Sequence, residues 1–235
     1  MGQRINYFKN NFNIEFRELI FDNFFEFRQW YLDYDKSSLE KYNEPFGSEY
    51  LKKYLKNSTD FRTDFEQLDK KLIDELTSEF ISSYCDITDC KDIFYHFGPN
   101  CNKWHYDGST ELITQTGNED FIRLWDYSIK GRSLKDLGKF ESHSNEYSVG
   151  FLTFEEHSQL RNLIDQYFGN FEDMKNKYWT EHRKKEYLKG LENNWKNGTY
   201  NLGGELKPTS FGLEMILQVL NQIKDSKNDL IIGIE

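Results

Sequence analysis

Over most of this chain apolar residues recur at intervals of three and four, the spacing that lines one face of a helix. Short alternating or continuous apolar runs mark strands near residues 3–9, 147–152 and 229–234. From Asn13 to Tyr34, Phe16, Leu19, Ile20, Phe24, Phe27 and Tyr31 make a wide helical stripe. Phe25 and Trp30 lie off that stripe, so this helix is expected to be contacted on two sides. Asp35 to Pro45 reads as a polar connection, and Ser48 as the cap of a short helix through Leu55. The longest helical signal runs from Ser58 to Tyr84, with Phe61, Phe65, Leu68, Leu72, Leu76 and Phe80 inward. On its polar side Asp60, Asp64, Asp69, Asp74 and Glu75 predict an exposed negative strip, because unpaired buried carboxylates are too costly. An aromatic segment follows to Trp104, in which Gly98-Pro99-Asn100 reads as a turn.

The clearest signal lies between Glu146 and Asn170. Tyr147 to Leu152 reads as a buried strand, and Thr153 with Glu156 fits a capping box, in which each side chain satisfies the other's backbone amide. Leu160, Leu163, Ile164, Tyr167 and Phe168 share one helical face, and Gly169 is read as a left-handed stop. This strand–helix unit is expected at the centre of the core, with Asp229 to Ile234 as the strand's partner. A helix capped by Asn118 and stopped at Gly131 precedes it. After Asn170 come helical patterns over Phe171 to Lys196, a hairpin signal at Gly203-Gly204, and a last helix opened by Pro208-Thr209-Ser210.

These elements predict a mainly helical α+β protein with a small sheet, as a single domain over 1–235. A subdivision near 139–145, setting off a helical first half, is the alternative.

Composition narrows the picture further. The chain contains no alanine, and its only valines are Val149 and Val219, so Phe, Tyr, Ile and Leu build the core. Aromatic residues reach 17%, which fits either an AT-rich coding bias or an aromatic binding surface. A net charge of −10 argues against nonspecific nucleic-acid binding and against an anionic membrane surface, and it suits a basic protein partner. No apolar run is long enough to span a membrane and the first residues lack an apolar signal core. Three cysteines fit a reducing compartment. Together these point to a cytoplasmic protein of bacterial type.

Reactive side chains are densest from Cys85 to His105, where Cys85, Cys90, His96, Cys101 and His105 offer the ligand types of a zinc site. No Cys-x-x-Cys occurs among them, and buried unligated cysteines are the competing account. The same window is where a cysteine nucleophile with a histidine base would have to lie. Phosphate-loop, dinucleotide and nucleophile-elbow motifs do not occur. No catalytic residue is singled out and no cofactor is called for, zinc being the one alternative.

Ser148-Val149-Gly150-Phe151-Leu152-Thr153, with Glu155 and Glu156, resembles a segment of small bacterial proteins of the toxin-immunity type. The resemblance is confined to 148–169. It implies a non-enzymatic protein that neutralises a toxin by occlusion. Candidate contacts for such a partner are Asp60, Asp64, Asp69, Asp74 and Glu75, with Trp30, Trp104 and Trp179 as aromatic anchors. The alternative function is an enzyme or zinc-binding domain centred on the Cys85–His105 window.

Overall fold

The computed structural model describes residues 4–10, 16–84, 94–102, 106–136, 147–178 and 210–234. Four strands, β1 (Arg4–Asn10), β2 (Phe94–Asn102), β3 (Val149–Leu152) and β4 (Leu230–Ile234), form one antiparallel sheet in the order β2-β1-β4-β3. The side-chain alternation of a strand then divides the core in two. Along β4, Leu230, Ile232 and Ile234 enter one core and Ile231 the other. Along β3, Val149 and Phe151 join Ile231, while Leu152 faces the opposite way.

The core containing Ile231 is covered by α1 (Phe16–Asp22), α2 (Phe24–Tyr42), α3 (Glu49–Asn57), α4 (Phe61–Asp64) and α5 (Lys70–Glu79), which runs into a π-helical turn at Phe80–Tyr84. The other core is covered by α6 (Asp107–Thr114), α7 (Glu119–Lys130), α8 (Phe154–Phe168), α9 (Phe171–Tyr178) and α10 (Phe211–Ile223). The molecule is thus a mainly helical α+β protein whose small sheet lies between two helical layers.

The strand–helix unit forms as its sequence dictates. Thr153 Oγ1 accepts from Glu156 N at 3.3 Å, and Glu156 Oε2 accepts from Thr153 N at 2.9 Å, closing the capping box of α8. Gly169 ends α8 at φ 74° and ψ −160°, so its φ is positive but its ψ is extended rather than left-handed helical. β3 pairs with β4 as the pattern predicts. It is fully buried but lies at one end of the sheet, and β1 and β4 take the middle.

The outer edge of β3 is occupied by the chain leaving α7. Arg132 N donates to Val149 O at 2.9 Å, and Tyr147 N donates to Lys130 O at 2.8 Å. Two glycines allow this approach. A Cβ on Gly131, at φ +73°, would lie 2.5 Å from Val149 O, and one on Gly150 would lie 2.5 Å from Tyr127 O. Arg132 itself is buried, with its guanidinium between the rings of Tyr127 at 4.4 Å and Phe151 at 4.6 Å. It grips Glu156 with both terminal nitrogens, at 2.8 and 2.9 Å.

Three sequence expectations change. The Asn13–Tyr34 helix breaks at Asn23, and α2 runs on through Tyr42, where Asn43 ends it in the left-handed conformation. The long Ser58–Tyr84 helix is two helices, because Asp60 and Asp69 act as N-caps and restart the chain. Gly98-Pro99-Asn100 is no hairpin turn. It lies within β2, where the register to β1 jumps from Ile5↔Cys101 to Tyr7↔Phe97. The extra β2 residues form a bulge, which is where an outer strand accommodates proline.

Candidate partner-binding site

The candidate site is built on α2 and the loop that follows it. Phe24, Phe27, Tyr31 and Asp35 form the buried face of α2, at helical spacing. A carboxylate in that stripe needs a partner, and Asp35 has two. Its Oδ1 lies 3.1 Å from Lys52 Nζ on α3 and accepts from Phe46 N at 2.9 Å. Lys52, itself buried, also meets Glu49. Ser38 Oγ holds the loop a second time by donating to Glu44 O at 2.9 Å. Gly47, at φ +60°, lies directly over the Tyr31 hydroxyl, where no side chain would fit. Burial, with Glu79, Asp35 and Glu75 nearby, holds that hydroxyl far above the usual tyrosine range, so it stays protonated.

Folding the loop back sets Phe46 against the flank of α2. Tyr34 meets the Phe46 ring edge-on at 4.7 Å, and Trp30 stacks on Tyr34 at 5.5 Å with the planes 24° apart. Beneath them Tyr84, from the π-helical turn, abuts Trp30 at 5.5 Å. The rings grade outward, with Phe27, Tyr31 and Tyr84 buried, Trp30 and Phe46 half-buried and Tyr34 exposed. Two-sided contact of this helix therefore holds for Trp30, but Phe25 is 61% exposed.

Each of the five acidic candidates is engaged within the fold, and Asp64, Asp74 and Glu75 are half-buried. Asp60 caps α4, and Asp69 caps α5 while accepting from the Tyr50 hydroxyl. Asp64 accepts from Ser58 Oγ at 2.5 Å and from Tyr54 Oη at 3.0 Å. Asp74 receives the Ser148 amide at 2.9 and 3.1 Å, and burial pushes its carboxyl above the ordinary range despite that amide. Glu75 accepts from Ser48 Oγ at 2.6 Å. Trp104, Trp179, Cys85, Cys90 and His105 lie outside the described residues. His96 and Cys101 are placed by their backbones alone, in β2 opposite Phe8 and Ile5. Among the described residues no group of three or more metal-ligating side chains comes together.

Trp30 was visible in the sequence as an aromatic off the helical stripe. Tyr34 and Phe46 were not, because what unites them is the fold of residues 43–48. The signal was Asp35, a carboxylate in an otherwise apolar register of α2.

Comparison with known proteins yields no match to any family model, curated protein or solved structure. Among the described residues no helix is long and apolar enough to cross a membrane.

Proposed function

We propose that this protein is a non-enzymatic binding protein that works by holding another protein. The observation that carries this reading is where its apolar surface lies. Of the six large hydrophobic side chains exposed among the described residues, Phe25, Tyr34, Leu39, Tyr42 and Tyr50 are all on α2 and α3. The half-buried Trp30 and Phe46 pack against Tyr34 within this set. Aromatic side chains give an interface large area at small entropic cost, and they concentrate where proteins meet. A net charge of −10 favours a basic partner and speeds its approach. The resemblance of 148–169 to toxin-immunity proteins makes occlusion of a bacterial toxin, in the cytoplasm of the cell it protects, the concrete form of this proposal.

The test uses the whole chain, immobilised and exposed to an extract of its source cells. Each retained protein is then produced pure. A defined complex between the two pure proteins, weakened by substitutions on α2 or α3, supports the reading. Relief of that partner's toxicity on co-expression supports the immunity form. If no retained protein binds when pure, the reading fails.

A further inference from the structure

We infer that the Trp30–Tyr34–Phe46 cluster anchors an arginine side chain of a basic protein partner; this rests on the binding-protein reading and assigns it a place and a chemistry. Elsewhere this protein covers aromatic faces with its own cations. Lys41 lies over Tyr42 at 5.0 Å, Lys71 over Tyr50 at 5.8 Å and Arg62 over Phe21 at 4.7 Å. Arg132 is held between Tyr127 and Phe151. Among the described residues no cation lies over Trp30, Tyr34 or Phe46, although Tyr34 is exposed.

Carboxylates are nevertheless placed beside them. Glu26 and Asp33 lie four residues before and three after Trp30, so both share its side of α2. Both are exposed. Asp33 accepts from Gln29 Nε2 at 2.9 Å, and neither carboxylate forms an ion pair among the described residues. An aromatic stack bordered by two uncompensated negative charges is complementary to a cation. Trp30 already stacks on Phe27 and Tyr34, so the exposed ring of Tyr34, backed by Trp30, is the face on which a planar guanidinium can lie while forking to a carboxylate. The Arg132 site shows the same combination inside the protein, with two rings at the faces and Glu156 at the fork. On α2 the rings and carboxylates are present and the arginine would come from the partner.

The probe is a short fluorescent arginine–glycine repeat peptide, with a lysine–glycine peptide of equal charge as comparator, titrated by anisotropy. The wild type should bind the arginine peptide severalfold more tightly than the lysine peptide. Tyr34→Ala, at an exposed position, and Trp30→Ala should each weaken the arginine peptide by roughly 3- to 30-fold, the range of a cation–π contact. Trp30→Phe should restore part of that loss. Glu26→Gln with Asp33→Asn should weaken binding further at low salt than at high salt. Should Trp30→Ala fail to fold by circular dichroism, Tyr34→Ala carries the test alone. Equal binding of the two peptides, or arginine binding indifferent to Tyr34 and to both carboxylates, overturns the site while leaving the binding-protein reading intact. Failure of the wild type to bind the arginine peptide also overturns the site. Failure to find a protein partner, by contrast, strikes the underlying reading.

Discussion

Arg132 and Glu156 form a two-pronged ion pair in which the arginine side chain is fully buried and the glutamate is 14% exposed. The same carboxylate accepts from Thr153 N, so one group both neutralises a buried cation and starts α8. The two roles can be separated by substitution. Thr153→Ala removes only the N-cap oxygen and should cost about 0.5–2 kcal/mol, with Thr153→Ser nearly neutral. Glu156→Gln keeps an acceptor for the cap but leaves the guanidinium uncompensated, which should cost about 3–5 kcal/mol. Urea unfolding measures both. A glutamine variant no less stable than Thr153→Ala would mean that the pair contributes nothing beyond the cap.

Asp35 and Lys52 give a second buried pair, with side chains only 9% and 2% exposed. Lys52→Met should destabilise by about 3–5 kcal/mol, because Asp35 is left charged and buried. Asp35→Asn should cost less, since an amide oxygen still accepts from Phe46 N. Joint replacement by Asn and Met should recover part of the single-variant loss, as removing both members of a buried pair is milder than removing one. A strictly additive double variant in urea unfolding would show that the two residues do not interact.

The buried His157 brings a pH dependence of defined sign. Burial holds its imidazole below the ordinary 6.5, outweighing its bond to Asn228 O and the carboxylates of Glu155 and Glu156. Below pH 6.5 the unfolded chain takes up a proton that the native site resists, so stability should fall as pH drops from there. Asp74 and Glu79 act in the opposite sense. Burial raises their carboxyls above 3.8 and 4.5, so the native state takes up protons first and they add stability as pH falls toward those values. Urea midpoints across pH should show a decline below 6.5 that His157→Gln flattens. An unchanged profile in that variant would exclude His157 as its source.

Protein purified without added metal should contain no stoichiometric zinc. Elemental analysis decides this directly. One zinc per chain, lost on joint replacement of Cys90 and Cys101 by serine, would move the functional reading to the Cys85–His105 window. Unfolding by a chelator would then identify the metal as structural.

What the sequence discloses depends on how local the cause is. The β3–α8 unit is legible because the capping box, the apolar face and Gly169 act within a few residues of one another. The α7 boundaries at Asn118 and Gly131 are legible for the same reason. α2 extends eight residues past Tyr34 because Asp35 finds Lys52 across the fold, and no short-range pattern announces a carboxylate at a buried position. Asp60 and Asp69 read as an acidic helix face because the breaks they cap interrupt an apolar repeat that keeps its phase. β2 escapes notice because Gly98-Pro99 has the form of a turn, and only pairing with β1 makes it a bulge. The candidate site follows the same division. Trp30 stands out by position, whereas Tyr34 and Phe46 become its neighbours only when residues 43–48 fold back.

The ends of the sheet have a consequence for how this chain behaves in a crowd of its own copies. A free strand edge is a template on which another chain can extend the ladder, and repetition of that step gives fibrils. Here the β3 end is occupied by the backbone of Lys130 and Arg132. At the other end β2 carries a bulge with Pro99, which has no amide hydrogen to donate. A newcomer strand therefore finds its hydrogen-bond row filled on one side and interrupted on the other. Gly131 and Gly150, which within the fold admit the close approach of Arg132 to Val149, thereby also close the β3 end of the sheet to another strand.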